Sequence, residues 1–420
     1  MMTIAEKILA RASGQRTVAA NDYVTAKIDM AMMPDMFRLI PGVLAKAKIR
    51  DDKFRIWDPE KFVVVFDHRV PPSALTVAQS HKSMREFAKK IGVKYCYDVF
   101  PGISHQIMHE KGHVRPGELI VGADSHTTTY GALNAASTGI GASEMAYVIQ
   151  TGELWFRVPE TIKFEITGKL SEFVCSKDVI LFIAGKYSTE IAQYKAIEWT
   201  GSVVDEMSLD GRLTMGNMSV ELGAKFGLFR ADQKTIDYIK ARTDKEFAPV
   251  ESDPDAIYAE SYLIDGSALD PQVAFPHSVG NVHSVSELKD LTIDQAVIAS
   301  CCHGRMEDLE IAAKMIKGKK VHPGVRFYVA PASWEIYREA LDKGIFRTLI
   351  DSGAMIGNPS CGFCTGIQGV LAEGERCIAA TPRNFKGRMG SPEAEIFLAS
   401  SATVTASAIR GKIVDPREVV

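Results

Sequence analysis

Two short stretches hold the side chains best suited to chemistry: Ala299-Ser-Cys301-Cys302-His303-Gly-Arg305 and Gly357-Asn-Pro-Ser360-Cys361-Gly-Phe-Cys364-Thr-Gly366. Both read as Gly- and Ser-rich loops, and the first follows a short apolar run, Gln295 to Ser300, with the look of a buried strand. A Cys-x-x-Cys pair joined by one distant cysteine supplies three thiolates. Closed zinc and iron–sulfur sites usually take four ligands, so three is an odd number for a structural centre. A [4Fe–4S] cube held at three corners keeps one iron without a protein ligand, free to act as a Lewis acid on a substrate oxygen.

Other uses of the same residues stand beside that one. Cys361 and Cys364 alone could be a redox pair, although such pairs open a helix early in a small βαβ domain. Cys301, His303, Cys361 and Cys364 could close a structural zinc site. Pro359-Ser-Cys361-x-x-Cys364 has part of a zinc deaminase pattern, but no upstream His-x-Glu unit accompanies it. Spacing does not choose between Cys301 and Cys302 as the distant thiol.

Two acid–imidazole groups are the next candidates, Asp67-His68 and Asp124-Ser125-His126, with His105 between them in sequence. Each could be a local turn or cap. A carboxylate beside an imidazole also fixes its tautomer and raises its basicity, which suits proton delivery to a leaving hydroxyl. Arg383 and Arg388 flank a Gly-containing loop, where paired guanidinium groups suit carboxylates. His109-Glu110-Lys-Gly112-His113 matches the zincin pattern, but Gly112 and the following Val-Arg-Pro-Gly interrupt the helix that pattern needs. A helix terminus whose histidines meet the last carbonyls is the better account. Gly139-Ile-Gly141-Ala-Ser-Glu144 lacks the third glycine and the preceding strand of a dinucleotide loop, so close helix packing explains it.

The elements that must position these groups alternate strand and helix. Lys61 to Phe66 and Glu118 to Gly122 are continuous apolar runs ending in the two doublets, and Thr76 to Lys90 has helical spacing. Unbroken apolar strands between helices predict parallel sheets covered on both faces. In such sheets functional groups collect beyond the carboxyl ends of strands. Thr161 to Gly168 alternates like a half-buried strand; Ser176 is read as the N-cap of a helix through Gly185. Lys195 to Trp199 is a short strand carrying the inward acid Glu198, and Phe247 to Gly280 reads as surface and linker. Three units follow: 1–155, 156–285 and 286–420.

Composition narrows the class. A chain of 420 residues can hold two or three cores, and a net charge of −3 without charged blocks points to no nucleic acid and no anionic membrane surface. The amino terminus reads as an amphipathic helix rather than a signal peptide. No apolar run reaches the roughly 18–20 residues that span a bilayer. Seven scattered cysteines are not a disulfide framework, so a cytoplasmic protein with reduced thiols is expected.

At this point the motifs match a known family. Gly122-Ala-Asp-Ser-His-Thr-Thr-Thr-Tyr-Gly-Ala132, Ser300-Cys301 with Gly304-Arg-Met-Glu-Asp308, Cys361-Gly-x-Cys364 and Arg383-Asn-Phe-x-Gly-Arg388 resemble the aconitase superfamily. The likeness is greatest to the large subunits of its two-subunit 3-isopropylmalate dehydratase and homoaconitase branch and runs from about Val24 to Asp415. It implies an α/β fold of three α/β/α domains around one [4Fe–4S] cluster per subunit. The swivelling fourth domain of single-chain aconitases is expected on a separate small subunit. The resemblance assigns the cluster to Cys301, Cys361 and Cys364, and so prefers Cys301 to Cys302. It gives Asp67, His68, His105, Asp124, Ser125, His126 and Glu198 to the catalytic machinery and Arg383 and Arg388 to a substrate carboxylate. The implied reaction is dehydration, with or without rehydration, of a hydroxy di- or tricarboxylate.

Three departures bear on the substrate. Ser-Cys-Thr-Asn of the family is Ser300-Cys301-Cys302-His303 here, Pro-Gly-Cys-Gly is Pro359-Ser360-Cys361-Gly362, and an Asn before the first arginine is Pro382. They leave 2,3-dimethylmalate and other substituted malates open beside isopropylmalate. An iron-sensing RNA-binding regulator is the non-enzyme alternative, against which the balanced charge and absent fourth domain argue. Cys364→Ser is expected to abolish iron and sulfide binding while Cys175→Ser keeps it; equal metal content in the two variants would contradict the ligand assignment.

Overall fold

The computed structural model describes residues 1–35, 39–46, 54–288 and 290–419. Among the described residues three larger sheets stand beside a two-stranded antiparallel pair, Tyr23–Lys27 with Glu153–Arg157, and the first two of the three are wholly parallel. The first has the spatial order Tyr95–Tyr97, Phe62–Val65, Met30–Met33, Leu119–Gly122, Ala136–Gly139. In chain order this is a doubly wound arrangement: two strands are added on one side of Met30–Met33, then two on the other. Every residue of Phe62–Val65 and Leu119–Gly122 is buried, as expected of strands covered on both faces. Each such Val, Leu or Phe side chain contributes roughly 1.5–3 kcal/mol by leaving water.

The second sheet runs Phe226–Phe229, Ala196–Thr200, Thr161–Thr167, Glu260–Asp265. Its core is aromatic: Phe164 stacks on Trp199 with centroids 5.2 Å apart and on Tyr262 at 4.8 Å. The third sheet has seven strands. Five are parallel in the order Glu395–Leu398, Arg376–Ala380, Gln295–Ile298, Arg326–Val329, Met355–Ile356. This is the same double winding about a central first strand. Gln272–Ala274 and Val282–Ser284 extend its edge as antiparallel strands.

Two expectations need correction. The stretch from Phe247 to Gly280 is not only surface and linker. Its strand Glu260–Asp265 pairs along its length with Thr161–Thr167, and Gln272–Ala274 joins the third sheet. Ser, Asp and Pro around these strands hide them, because their apolar runs, Tyr262-Leu-Ile264 and Val273-Ala-Phe275, are only three residues long. Ser176 is the first residue of its helix, not the cap. Cys175 holds the cap position, and its backbone N–H donates to Asp178 at 2.9 Å, so a first-turn carboxylate closes the end. The amino-terminal helix forms over Ile4–Ser13 with a full capping box between Thr3 and Glu6.

Double winding leaves a crevice at the carboxyl edge where the strand order reverses. In the first sheet that edge carries Asp35, Asp67-His68 and Asp124; in the third it carries Ser300-Cys301 and Thr381-Pro-Arg383. The two edges are joined face to face. The N–H of Ile103 donates to Ala332 O at 2.9 Å, that of Trp334 to Pro101 O at 3.0 Å, and that of Cys361 to Asp67 O at 2.9 Å. Gly102 sits in this seam with φ +139°, where a Cβ would lie 2.6 Å from both Ala332 O and Ser333 Cα. Gly102→Ala is therefore expected to cost about 1–3 kcal/mol through overpacking and a forced backbone. The urea midpoint of the metal-free chain measures this, and an unmoved midpoint would show the seam to be soft.

Candidate active site

Two strand ends and one helix bring the acids and imidazoles together. Phe62–Val65 delivers Asp67 and His68, Leu119–Gly122 delivers Asp124 to His126, and the helix Ser104–Glu110 brings in His105. The fully buried Asp67 is held by the N–H of Ser104 at 2.7 Å and shares a 2.8 Å hydrogen bond with His68 Nδ1. His68 Nε2 faces Asp124 Oδ2 at 3.7 Å, and Asp35 lies 3.5 Å from Nδ1. Asp124 is the hub of the other half. It bonds His105 Nε2 at 2.8 Å and the His126 N–H at 2.8 Å, and lies 3.7 Å from His126 Nδ1. Tyr130 closes the far side of His105 at 3.0 Å.

The charges decide which groups carry protons. Burial alone would favour neutral His68, but Asp67, through charge and hydrogen bond, then Asp124 and Asp35, outweigh it and lift its pKa to about 10. His68 is thus an imidazolium at neutral pH, ready to donate. Burial also opposes ionisation of Asp124, yet the hydrogen bonds from His105 and His126 hold it well below the usual carboxylate range.

Sequence reasoning missed two residues and misplaced one. His126 Nε2 is 3.0 Å from Glu221 Oε1, and Arg383 Nε donates to the same oxygen at 2.6 Å. Glu221, not Glu198, is the acid in this group. Glu198 points to the opposite side of the second sheet, where it caps the amino-terminal helix: it accepts the Ile4 N–H at 3.0 Å, Ser252 Oγ at 2.7 Å and Tyr258 OH at 2.7 Å. A carboxylate at a helix start is spent there, which removes it from the crevice. Asn217, one helical turn before Glu221, is also buried; it donates to Thr129 and is a hydrogen-bond neighbour of Cys301. Their i, i+4 spacing among Met215, Met218, Val220 and Leu222 was the available signal, since polar groups buried in an apolar stretch need partners. Ser125 follows Asp124 and lines a groove with Gly139, Gln193 and Lys225. His109 and His113 do not share a metal: they bond Tyr238 OH at 2.6 Å and Tyr97 OH at 2.7 Å, rather than the last carbonyls of their helix.

The thiols meet the acid–imidazole group directly. Cys361 Sγ lies 3.9 Å from Asp67 Oδ2, and its thiol is pushed well above its ordinary pKa by burial, then by Asp67, Cys301 and Cys364. Cys301 is raised well above its ordinary value too, by burial and then by Cys302 and Cys364. Arg388 donates to the Cys364 carbonyl at 3.1 Å, lies 3.5 Å from its sulfur, and feels Cys361 and Cys301 as well. Ser300, a buried non-glycine at φ +92°, turns the chain so that consecutive cysteines enter different cores. Cys301 packs with Cys361, while Cys302 turns toward Ser300 Oγ at 3.3 Å.

This donor set fits a polynuclear centre better than one ion. A tetrahedral zinc with Zn–S bonds of about 2.3 Å would bring its sulfurs to about 3.8 Å from one another. Among the described residues, the three sulfurs do not form a group whose members all lie within 4.8 Å. His303 Nδ1 bonds Asp308 at 2.9 Å, and its Nε2 is buried with no partner among the described residues. Thiols raised as Cys301 and Cys361 are, by burial and by neighbouring cysteines, ionise only when a cationic centre compensates them. A cavity of about 350 Å³ opens beside His68, lined by Asp35, Arg69, Ser80, His81 and Thr365. A second, of about 400 Å³, is lined by Cys175, Asp210, His303 and Asp308, and none of the three thiols lines either cavity.

Comparison with known proteins agrees with this geometry. The model of the aconitase family (aconitate hydratase) matches residues 28–290 and 286–411. The chain belongs to the aconitase family. It is 51% identical over 417 residues to a protein of Methanopyrus kandleri named 3-isopropylmalate dehydratase large subunit 1, covering 99% of each. It is 46% identical to the Aquifex aeolicus 3-isopropylmalate dehydratase large subunit, covering 100% of this chain and 98% of that one. It is 45% identical to a probable methanogen homoaconitase large subunit of Methanothermobacter thermautotrophicus, covering 99% and 98%. The crystal structure of holo aconitase X from Thermococcus kodakaraensis shares the fold at a TM-score of 0.53 and 11% identity, over 93% of this chain and 88% of that one. This aconitase-family chain is thus a hydro-lyase of large-subunit type, and no helix among its described residues is long and apolar enough to cross a membrane. Asp67→Asn is expected to move the His68 titration from about pH 10 toward lower pH, because the imidazolium loses its nearest anion. Histidine NMR across pH 6–11 checks this, and an unmoved midpoint would mean Asp67 does not set the charge of His68.

Proposed function

We propose that this chain is the cluster-bearing large subunit of a dehydratase for 3-isopropylmalate or a closely related hydroxy dicarboxylate, working with a separate small subunit. The observation that carries the reading is the trio Cys301, Cys361 and Cys364 set against the His68 imidazolium. The three thiolates would hold a [4Fe–4S] cluster, which when bound supplies a Lewis-acidic iron for the substrate hydroxyl. The residues of this chain do the rest. His68, held by Asp67, donates its proton to the departing hydroxyl. Arg388 and Arg383 bind substrate carboxylate, and Glu221 fixes the plane of the Arg383 guanidinium. Asp124, with His105 and His126, forms the charged wall opposite His68 and orders water there, and Ser125 offers a hydroxyl beside it. The group that takes the carbon-bound proton comes from the small subunit, so the isolated chain turns over no substrate.

The homoaconitase relative makes a tricarboxylate the second reading. Anaerobic reconstitution of the chain should give a brown protein with about four irons. With its small subunit it should convert 3-isopropylmalate to the alkene and on to its positional isomer. A colourless, zinc-containing chain would end the cofactor reading. Turnover of a homocitrate-type substrate in place of isopropylmalate would favour the second. Within the loaded complex, Glu221→Gln is expected to lower kcat/KM by roughly 10–100-fold, as loss of an orienting partner does. Glu198→Gln should instead cost about 1–2 kcal/mol of stability at unchanged kcat, because its carboxylate serves a helix start, Ser252 and Tyr258 rather than the crevice. Equal activity losses would mean the two acids are misassigned.

A further inference from the structure

Lys177 occupies the first turn of the helix Ser176–Tyr187 and is completely buried. Its ammonium donates to the Thr381 carbonyl at 2.7 Å and lies 3.2 Å from the Met218 sulfur. Among the described residues no carboxylate reaches ion-pair distance of it. The neighbouring Asp178 turns its oxygens to the backbone N–H groups of Gln272 and Cys175, at 2.8 and 2.9 Å. Taking an ammonium out of water costs several kcal/mol even after relaxation, and one carbonyl and a thioether return only part of that. A charge left in this state needs an anion.

The surroundings of Lys177 say where that anion belongs. Its field reaches Cys302 and His303, the two residues after Cys301. Thr381, which it holds, leads through Pro382 into Arg383. Arg305 repeats the pattern on the same loop. It too is buried, and it donates to the carbonyls of Cys301 and Cys302 at 2.6 and 3.0 Å and to Gln106 at 3.2 Å, with no carboxylate in ion-pair range among the described residues. Two buried cations with no carboxylate at ion-pair distance among the described residues thus back the loop that carries the first thiol, with Asp178 in the wider field of Lys177 and Asp210, Glu307 and Asp308 in that of Arg305. A [4Fe–4S] core bound by three thiolates is a net anion.

We infer that Lys177 is the buried counter-charge of the metal–thiolate centre, a positioning residue that sets the centre's retention and reduction potential from behind Cys302 and Thr381. This rests on the reading that Cys301, Cys361 and Cys364 hold such a centre. A reduced centre carries one more negative charge than the oxidised one, so a fixed cation favours it, and the cation's removal moves the potential negative.

The test compares wild type, Lys177→Met and Lys177→Arg, each reconstituted anaerobically as the full chain. Iron content and the visible spectrum of wild type report on the underlying reading. Electron paramagnetic resonance during a redox titration, and the rate of iron loss to a chelator, report on Lys177. Lys177→Met is expected to shift the potential negative and to release iron roughly tenfold faster, and Lys177→Arg to restore both. Melting of the metal-free chains separates charge from packing. There Lys177→Met should be at least as stable as wild type, since an apolar chain of similar length replaces an unpaired charge. A loaded Lys177→Met with wild-type potential and iron release would overturn the inference while leaving the cofactor reading intact. Wild type that takes up no iron would overturn both.

Discussion

Asp67 is where two sheets are made into one site. Its carboxylate takes the N–H of Ser104 and the ring of His68, and its own carbonyl takes the N–H of Cys361. One residue therefore ties a strand end of the first sheet to the thiol loop of the third. Because a hydrogen bond weakens steeply with misalignment, these contacts fix how the two crevices face each other to within a few tenths of an ångström. They act with the Ile103–Ala332 and Trp334–Pro101 bonds to set the acid–imidazole group against the thiols.

The electrostatics follow from that joint. Enclosing carboxylates, imidazoles and thiols together would be costly if each kept its own charge. The structure offsets this by pairing Asp67 with His68, Asp124 with His105 and His126, and Glu221 with His126 and Arg383. On the other side, among the described residues the Lys177 ammonium and the Arg305 guanidinium have no carboxylate at ion-pair distance, and Arg388 lies against the Cys364 sulfur. Two buried cations thus stand behind the thiol loop without a direct ion pair among the described residues. The proposed role of Lys177 draws on this.

The groups that sit in loops just beyond apolar strands were legible before any fold was known. Asp67-His68, Asp124-Ser125-His126, Cys301 and Arg383 all follow runs whose residues are buried on both faces, and a strand's end is the part of it that local pattern marks best. Glu221 and Asn217 were not legible in the same way. They lie on a helix and the turn after it, where only their burial gives them meaning, and burial is a tertiary property. Glu198 misled for the complementary reason. An acid inside an apolar strand looks functional, but which face it occupies depends on the sheet's neighbours, and here the amino-terminal helix had claimed it.

From the amino acids alone came the parallel α/β architecture, the three candidate thiols, the acid–imidazole doublets and the arginine pair, because apolar periodicity and the chemistry of short motifs are local. The choice of acid beside His126, the protonation of His68, the divergence of Cys301 and Cys302 and the isolation of Lys177 were decided only by the folded chain. Each is a matter of distance between residues far apart in sequence, and both hydrogen bonding and charge–charge energy depend on that distance rather than on residue type.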